Sequence, residues 1–430
     1  MKNNFAQLLI DIQKKSGITV ERVRDVKSLK EEIETVTQQK IGYNTLRRFY
    51  GFLPHTIPSK ATLTLLSKYL GFTSYSSYIS NKLNYDEWYF QQKLLHLQLN
   101  GKLDADVIAL MEIGLINKNN SIAVANFISH LIEHNDIKGL QFIFNSLSFQ
   151  NLTDSDCLKF STIVTFRLLT LEKKRAIEVY KALVPLPNFR NLVPLYYIDY
   201  THLVGIYAEV LALIQATSSA PSDVFFVRLM QYYKSYFTAT AVNPKEIIAL
   251  PTHFATFHPV LKGRYLGYLI LKAEKIDKQI ARVIFNEFKR NQVSLLAQEV
   301  IATLIVKEAY QLLALIFDRY YEDLFETSSW SYKTTDALNL IGLANVNWYR
   351  QNYVSARRNL ELVELDKVEL GYFEYISIFY YLTLLKISFA EQDAQLNDSA
   401  HQALSLSILK TKFVRFEIEM KKYLLVRTTT

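Results

Sequence analysis

The chain has 430 residues, of which 50% are hydrophobic and 13% aromatic, so general disorder is excluded and a large core is expected. Only 12 residues are glycine and 9 are proline, which argues against turn-rich sandwiches, barrels and doubly wound sheets and predicts an all-α protein. The single Cys157 excludes an internal disulfide, and because we find no signal-peptide pattern or 20-residue apolar span, we expect a cytoplasmic protein without membrane contact.

The first 83 residues are predicted to form a separate helical unit. Apolar residues recur at helical spacing in each segment, and Gly or Pro residues stand between the segments. Ser59 precedes one segment as an N-cap and Gly71 follows it. The predicted helices are one around Phe5–Ile12 that stops at Ser16-Gly17, then Val26–Gln39, Tyr43–Tyr50, Lys60–Leu70 and Ser74–Ser80.

The positive charge is concentrated in this unit. Residues 1–80 hold twelve Lys/Arg and six Asp/Glu, whereas the other 350 residues hold 37 and 35, so +6 of the net +8 lies in less than a fifth of the chain. A local basic excess is typical of surfaces that bind polyanions, and it is also found on ordinary solvated faces.

Two segments of this unit carry a resemblance. The residues Ile41-Gly42-Tyr43-Asn44-Thr45-Leu46-Arg47-Arg48-Phe49-Tyr50-Gly51 are followed by Pro58-Ser59 and a leucine-rich helix that ends in Leu70-Gly71. Together they resemble the second half of a lambda-repressor-like (Cro-type) helix-turn-helix domain. In that family the third helix lies in the major groove of DNA, with its N-terminal residues at the base edges.

On the third predicted helix, Asn44, Arg47 and Arg48 share one face and Leu46, Phe49 and Tyr50 the other. Arginine reads guanine and asparagine reads adenine, while nearby cations and hydroxyls contact phosphates. The resemblance therefore implies a DNA site made of Lys40, Tyr43, Asn44, Thr45, Arg47, Arg48 and Lys60.

The chain departs from the family pattern in two places. The link between the first two helices is long and charged, and the second helix is long. A chain with one DNA-binding head also cannot contact both half-sites of a palindrome, so recognition of a palindromic site requires a homodimer. The alternative is a protein-interaction head in which Arg47 and Arg48 pair with acidic partners.

Residues 84–430 are predicted to form a helical array, because amphipathic segments of 12 to 20 residues follow one another with short polar breaks. No strand alternation of useful length is found. The predicted helices are Asp104–Ile116, Ser121–His134, Ile137–Leu147, Asp154–Leu169, Lys173–Leu183, Tyr197–Ala216, Val224–Phe237, Val260–Lys272, Asp277–Lys289, Ser294–Ile305, Glu308–Phe325, Asp336–Gln351, Tyr353–Leu365, Phe373–Glu391 and Asn397–Leu425.

One stretch of this array, residues 337–367, resembles a tetratricopeptide repeat. The positions that carry the likeness are Leu343, Ala344, Tyr353, Ala356, Leu360 and Val363. Asn347 stands where an aromatic residue is usual, and Val368 replaces the closing proline. We therefore predict a degenerate tetratricopeptide-like α-solenoid, with an unspecified α-solenoid as the alternative.

One motif has the form of a catalytic metal site. His130-Leu131-Ile132-Glu133-His134 matches the inverted zinc-protease signature, and Glu209 stands at a spacing like that of a third ligand in the insulinase type. That family folds around large sheets, which this glycine-poor chain does not favour. We interpret the motif as two histidines at a helix end and predict no metal, no cofactor and no enzymatic activity, since other catalytic motifs are absent from the sequence.

The sequence thus favours a DNA-binding regulator whose helical array senses or recruits a peptide or protein partner. The alternative is a non-catalytic scaffold or adaptor in which head and array both bind proteins.

Overall fold

The computed structural model describes residues 6–54, 58–81, 85–100, 103–116, 120–240, 248, 250–251, 254–325 and 333–425. These residues are all-helical, with 23 α-helices, two short 3-10 segments and no β-strand, as the composition predicted. None of the described helices is long and apolar enough to cross a membrane. The contacts divide the chain into two compact units, residues 1–88 and 89–430.

The first unit consists of five helices around one apolar core. Ile12 of the first helix, Leu29 and Ile33 of the second, Leu46 of the third and Leu66 of the fourth are fully or almost fully buried in this core. The helices are α1 (Ala6–Ser16), α2 (Val23–Thr37), α3 (Tyr43–Phe49), α4 (Lys60–Leu70) and α5 (Tyr75–Asn81); α6 (Tyr85–Asn100) begins in this unit and continues past residue 88. The predicted start of the first helix, Phe5, lies outside the described residues.

The predicted bounds of α4 are confirmed and those of α2 are wrong. Ser59 caps α4 by accepting from the Thr62 amide, and Gly71 ends it in the left-handed region. The Asp25 carboxylate accepts from the amides of residues 21 and 22, at 3.1 and 2.7 Å, so α2 starts at Val23 rather than Val26. It ends at Thr37 because Gln38 takes a left-handed conformation with φ of 55°.

The second unit is a succession of helices. Alternate helices pack against each other, as α8 on α10, α15 on α17 and α19 on α21 do, in addition to sequence neighbours. The helices after α6 are α7 (Ala105–Ile116), α8 (Ser121–Glu133), α9 (Ile137–Ser146), α10 (Asp154–Leu169), α11 (Lys173–Leu183), α12 (Pro187–Leu192), α13 (Ile206–Thr217), α14 (Pro221–Phe237), α15 (Pro259–Lys272), α16 (Lys278–Arg290), α17 (Val293–Val306), α18 (Tyr310–Leu324), α19 (Lys333–Tyr349), α20 (Tyr353–Glu361), α21 (Phe373–Glu391), α22 (Ala394–Thr411) and α23 (Arg415–Lys421).

The stretch that resembles a tetratricopeptide repeat forms a helical pair, α19 and α20. The two helices pack against each other, and Ala344 on α19 and Ala356 on α20 are both fully buried. On α19, a side-chain carbon at Gly342 would come within 2.8 Å of Ile301 on α17, so the missing side chain permits this close approach. Contacts between alternate helices and small residues at crossings are expected of a repeat array; the tetratricopeptide assignment itself stays a prediction.

Two predicted helices of this unit are wrong. The segment from Tyr197 is irregular up to Gly205, and the helix starts at Ile206. The final predicted helix, Asn397–Leu425, is two helices, because Lys412 takes a left-handed conformation with φ of 62° and ends α22.

The irregular segment, residues 193–205, is buried in the second unit over residues 193–201. Several of its backbone polar groups are bonded to distant parts of the chain: the Thr201 amide donates to the Gly371 carbonyl at 2.8 Å, and Arg264 donates to the carbonyls of Leu195 and Tyr196. Because buried backbone groups need partners, these bonds allow a non-helical segment to lie within a helical core.

Candidate nucleic-acid interface

The short helix α3 presents one face to the core and the other to solvent. Leu46 is buried in the first unit's core, and Phe49 and Tyr50 pack partly buried against it. The sequence placed these three residues on the inner face, and that prediction is confirmed. On the other side Asn44 is exposed, and Arg47 and Arg48 are half-buried.

Arg47 is held in place by its neighbours on α3. Its guanidinium lies over the Tyr43 ring, 5.5 Å from the centroid, and its Nη1 donates to Asn44 Oδ1 at 3.2 Å. Tyr43 Oη donates to the Val23 carbonyl at 3.1 Å, which ties α3 to the start of α2. These contacts orient Arg47 in the absence of a ligand. Asn44 can pair with adenine only if the hydrogen bond between its amide oxygen and Arg47 breaks.

The remaining candidates flank α3. Lys40 is exposed in the link from α2, Lys60 is exposed at the first position of α4, and Thr45 is half-buried on α3 itself. These positions leave the two ammonium groups accessible, as phosphate contacts require.

Three of the six acidic residues in positions 1–80 are engaged within this unit. Asp11 accepts from Tyr78 Oη at 2.5 Å, Asp25 caps α2, and Glu34 accepts from Lys30 Nζ and from the Ile41 amide. The hydrogen bond from Lys30 lowers the pKa of Glu34, and the Ile41 amide acts in the same direction.

Among the residues that the structure describes, the cationic candidates form no such bond to a carboxylate. Within the described part of the unit, the ion pairs are Arg24–Asp25 and Lys30–Glu34, and neither includes Lys40, Arg47, Arg48 or Lys60. The surface around α3 therefore carries more positive charge than its ion pairs neutralise, which suits a polyanion.

The zinc-protease-like motif lies at the end of α8. His130 and His134 are adjacent, with ring centroids 4.0 Å apart, and His134 Nδ1 lies 3.0 Å from the His130 carbonyl. Glu133 instead pairs with Arg167 at 3.4 Å, and Glu209 pairs with Lys173 at 2.8 Å. In the described ranges no three His, Cys, Asp or Glu side chains converge as metal ligands.

We predict that His130→Ala leaves the folding of the protein unchanged and that the purified chain carries no stoichiometric zinc. The reason is that both acidic members of the motif are paired with cations. Elemental analysis and thermal unfolding test this prediction, and one tightly held zinc per chain that is lost in the variant would contradict it.

Sequence reasoning missed the contact that orients Arg47. An aromatic residue four positions before an arginine on a helix was the available signal, since i and i+4 side chains are neighbours.

No family model, no curated protein and no solved structure matches the chain.

Proposed function

We propose that the protein is a DNA-binding regulator. Residues 1–83 form its DNA-binding head, and residues 84–430 form a tetratricopeptide-like α-solenoid that senses or recruits a peptide or protein partner. The observation that supports this proposal is the outer face of α3, where Asn44, Arg47 and Arg48 stand together and, among the described residues, take part in no ion pair. The lambda-repressor-like resemblance covers the same residues.

In the proposed mode α3 enters the major groove. Arg47 and Arg48 read guanine and Asn44 reads adenine, with Tyr43 beside them in the site. Thr45, Lys40 and Lys60 contact phosphates. A partner in the groove of the solenoid changes the geometry of a homodimer and with it the spacing of the half-sites. The protein has no catalytic role in this proposal and needs no cofactor.

The test is fluorescence anisotropy with labelled genomic duplexes at two salt concentrations, using full-length protein. We expect affinity to fall steeply with salt, because phosphate contacts release counterions. The variant Arg47→Ala/Arg48→Ala removes the guanine contacts, each worth ~1–3 kcal/mol, and should lose specific binding. The matched control Lys289→Ala/Arg290→Ala removes two exposed cations at the end of α16 and should bind as the wild type does.

Single variants separate reading from positioning. Arg47→Ala should relax the preference at one base pair. Lys60→Ala should weaken binding to all sequences alike and lower the salt slope by about one. Competition with duplexes that differ at single positions measures the first effect, and equal losses of specificity in both variants would contradict the assigned roles.

The alternative is a non-catalytic scaffold whose head binds an acidic protein. The hydrogen bond between Arg47 and Asn44, which occupies a base-reading group, favours it. If full-length protein shows no salt-sensitive binding to any genomic fragment, the DNA proposal fails and this alternative takes its place.

A further inference from the structure

The outer face of α16 carries three basic residues and no exposed acidic one. Lys278, Arg282 and Lys289 are exposed on this face, whereas Ile284 on the opposite side is buried in the core of the second unit. Glu287, the acidic residue of this helix, is half-buried and lies away from the three cations around the helix.

The carboxylates of α16 and of its N-cap are engaged elsewhere. Glu287 accepts from Asn291 Nδ2 at 3.1 Å and lies 3.7 Å from Arg290 Nη1. Asp277 caps the helix by accepting from the amides of residues 279 and 280, both at 2.9 Å. Neither carboxylate therefore neutralises the outer face.

Arg319 of α18 adds a fourth cation to this face. Its guanidinium lies over the Phe285 ring, 5.2 Å from the centroid, and stacking of this kind leaves the edge of the guanidinium free for a carboxylate. Phe285 stands three residues after Arg282 and four before Lys289, so Arg319 places a cation where α16 itself has none. We call the four cations the α16 row; its members are Lys278, Arg282, Lys289 and Arg319.

The spacing of the α16 row is regular. Positions 278, 282, 285 and 289 alternate at four and three residues, so they follow one side of the helix. At 1.5 Å per residue, the row is ~17 Å long, with its members ~4.5 to 6 Å apart. A regular row of this length suits an extended partner with a similar spacing of charges.

No carboxylate among the described residues pairs with the α16 row. In the described part of the chain, the ion pairs that involve α16 or α18 are Arg290–Glu287 and Arg350–Asp318. Like charges at neighbouring positions of a helix repel one another, so an anionic ligand would relieve this repulsion.

Helix α11 provides a comparison within the same unit. It holds four basic residues and one acidic residue, as α16 does. On α11, however, the exposed Glu178 stands between Lys174 and Lys181 on one face, and Lys173 pairs with Glu209 at 2.8 Å. The arrangement of the cations, rather than their number, therefore distinguishes α16.

Membranes, DNA and acidic proteins all bind basic surfaces, and the geometry of the α16 row favours an acidic helix. A membrane-surface helix buries its apolar side in lipid, whereas Ile284 and Phe288 of α16 are buried in the protein. Each strand of B-DNA carries a phosphate every ~3.4 Å along the axis, which is closer than the spacing of the row. Carboxylates at positions i, i+4, i+7 and i+11 of a helix repeat at the same interval as the row.

We propose that the α16 row binds an acidic helical segment of a partner protein, with carboxylates at positions i, i+4, i+7 and i+11. Arg282 and Arg319 donate paired hydrogen bonds to carboxylates, and Lys278 and Lys289 contact them as point charges. The inference rests on the proposed role of the array in recruiting a peptide or protein. It adds the surface and the chemistry of that partner.

Fluorescence anisotropy with two labelled peptides and the full-length protein tests the proposal. Both probes are alanine-rich helical peptides of identical composition with four glutamates. The first peptide has them at positions i, i+4, i+7 and i+11, and the second has them distributed around the helix. We expect the first peptide to bind about tenfold more tightly, because it alone presents all four carboxylates to the row and each exposed ion pair contributes little. Equal affinities for the two peptides would overturn the proposal.

Charge reversal tests the location. Arg282→Glu/Lys289→Glu should weaken binding of the first peptide by about tenfold or more, since repulsion replaces attraction at two positions. The matched control Lys174→Glu/Lys181→Glu makes the same charge change on exposed residues of α11 and should bind as the wild type does. Circular dichroism checks that both variants are folded, and the milder Arg282→Gln/Lys289→Gln should show a smaller loss. A loss of the same size in the control contradicts the assignment to α16.

Carbodiimide coupling locates the bound peptide independently of any substitution. The reagent joins a carboxylate to a lysine amine that contacts it, so mass spectrometry should find the first peptide on Lys278 and Lys289. Cross-links on Lys174 and Lys181 at equal yield would overturn the proposal.

Duplex DNA and vesicles that contain phosphatidylserine are the competing ligands. If Arg282→Glu/Lys289→Glu weakens binding to either of them as much as binding to the peptide, the row is a general polyanion surface and the proposal fails. Because the peptide assays contain no DNA, their failure is distinguishable from failure of the DNA proposal.

Discussion

Replacing Arg264 should cause the largest loss of stability of any single substitution considered for this chain. Arg264, on α15, is fully buried, and its guanidinium donates to the carbonyls of Leu195 and Tyr196. Its Nε lies 3.9 Å from a Glu299 carboxylate oxygen, and Glu299 accepts from Tyr200 Oη at 2.7 Å. Burial raises the pKa of Glu299, while Arg264 opposes that shift.

In Arg264→Leu the buried carboxylate loses its cation and two buried carbonyls lose their donor. Removal of one partner from a buried ion pair costs ~3–5 kcal/mol, so we expect the free energy of unfolding to fall by about that amount. Arg264→Lys cannot bond both carbonyls as the forked guanidinium does, so it should also lose stability. Because it keeps the positive charge beside Glu299, its loss should be smaller than that of Arg264→Leu. Urea unfolding followed by tyrosine and tryptophan fluorescence measures the changes.

The matched control is Arg228→Leu, which removes an exposed arginine from α14 and should change stability by less than ~0.5 kcal/mol. If Arg264→Leu were as stable as this control, the segment at residues 193–205 would be held by its apolar side chains alone. The double variant Arg264→Leu/Glu299→Leu should recover part of the loss, because it leaves no unpaired buried charge.

The second large effect concerns Lys386 and pH. Its ammonium is buried on α21, donates to Tyr310 Oη at 2.6 Å, and lies 5.2 to 5.8 Å from the ring centroids of Tyr310, Trp348 and Tyr423. Burial lowers the pKa of Lys386 to about 8. The charge of Lys422 lowers this pKa further, whereas the carboxylates of Glu308 and Glu419 raise it.

The direction of the pH dependence follows from this pKa. An unfolded lysine titrates near ~10.4, so between about pH 8 and 10.4 the unfolded chain binds a proton that the folded chain does not. The buried charge of Lys386 therefore lowers the free energy of unfolding, by on the order of 3 kcal/mol, at every pH below about 8. This loss of stability shrinks as the pH rises and is gone above about 10.4.

Lys386→Met removes the buried charge at nearly constant shape. We expect the variant to be more stable than the wild type at about pH 7 by ~1–3 kcal/mol, since it loses the charge cost but also the ring and hydroxyl contacts. The difference between the two proteins should shrink between about pH 8 and 10. Urea unfolding at each pH measures it, with Lys275→Met, at an exposed lysine, as the control. A variant less stable than the wild type at neutral pH would contradict the assignment.

Local signals in the sequence were sufficient for much of the fold. Scarcity of glycine and proline predicted the all-helical architecture, because helices need few turns. Ser59 and Gly71 predicted both ends of α4, since a cap acts on the residues beside it. On α3, helical spacing predicted that Leu46 is buried and Asn44 exposed.

Tertiary structure decided what depends on residues distant in the chain. The apolar residues from Tyr197 look like a helix in sequence, but Arg264, Glu299 and Gly371 bond this segment in an irregular conformation, and no local pattern announces such partners. Likewise, Lys386 is a single charged residue within an apolar stretch of the sequence. The three aromatic rings around its ammonium come from other parts of the chain and meet it only in the folded protein. The sequence by itself determined the type of secondary structure and the charge of the α3 face; packing determined which polar groups are buried, because burial is set by contacts between distant helices.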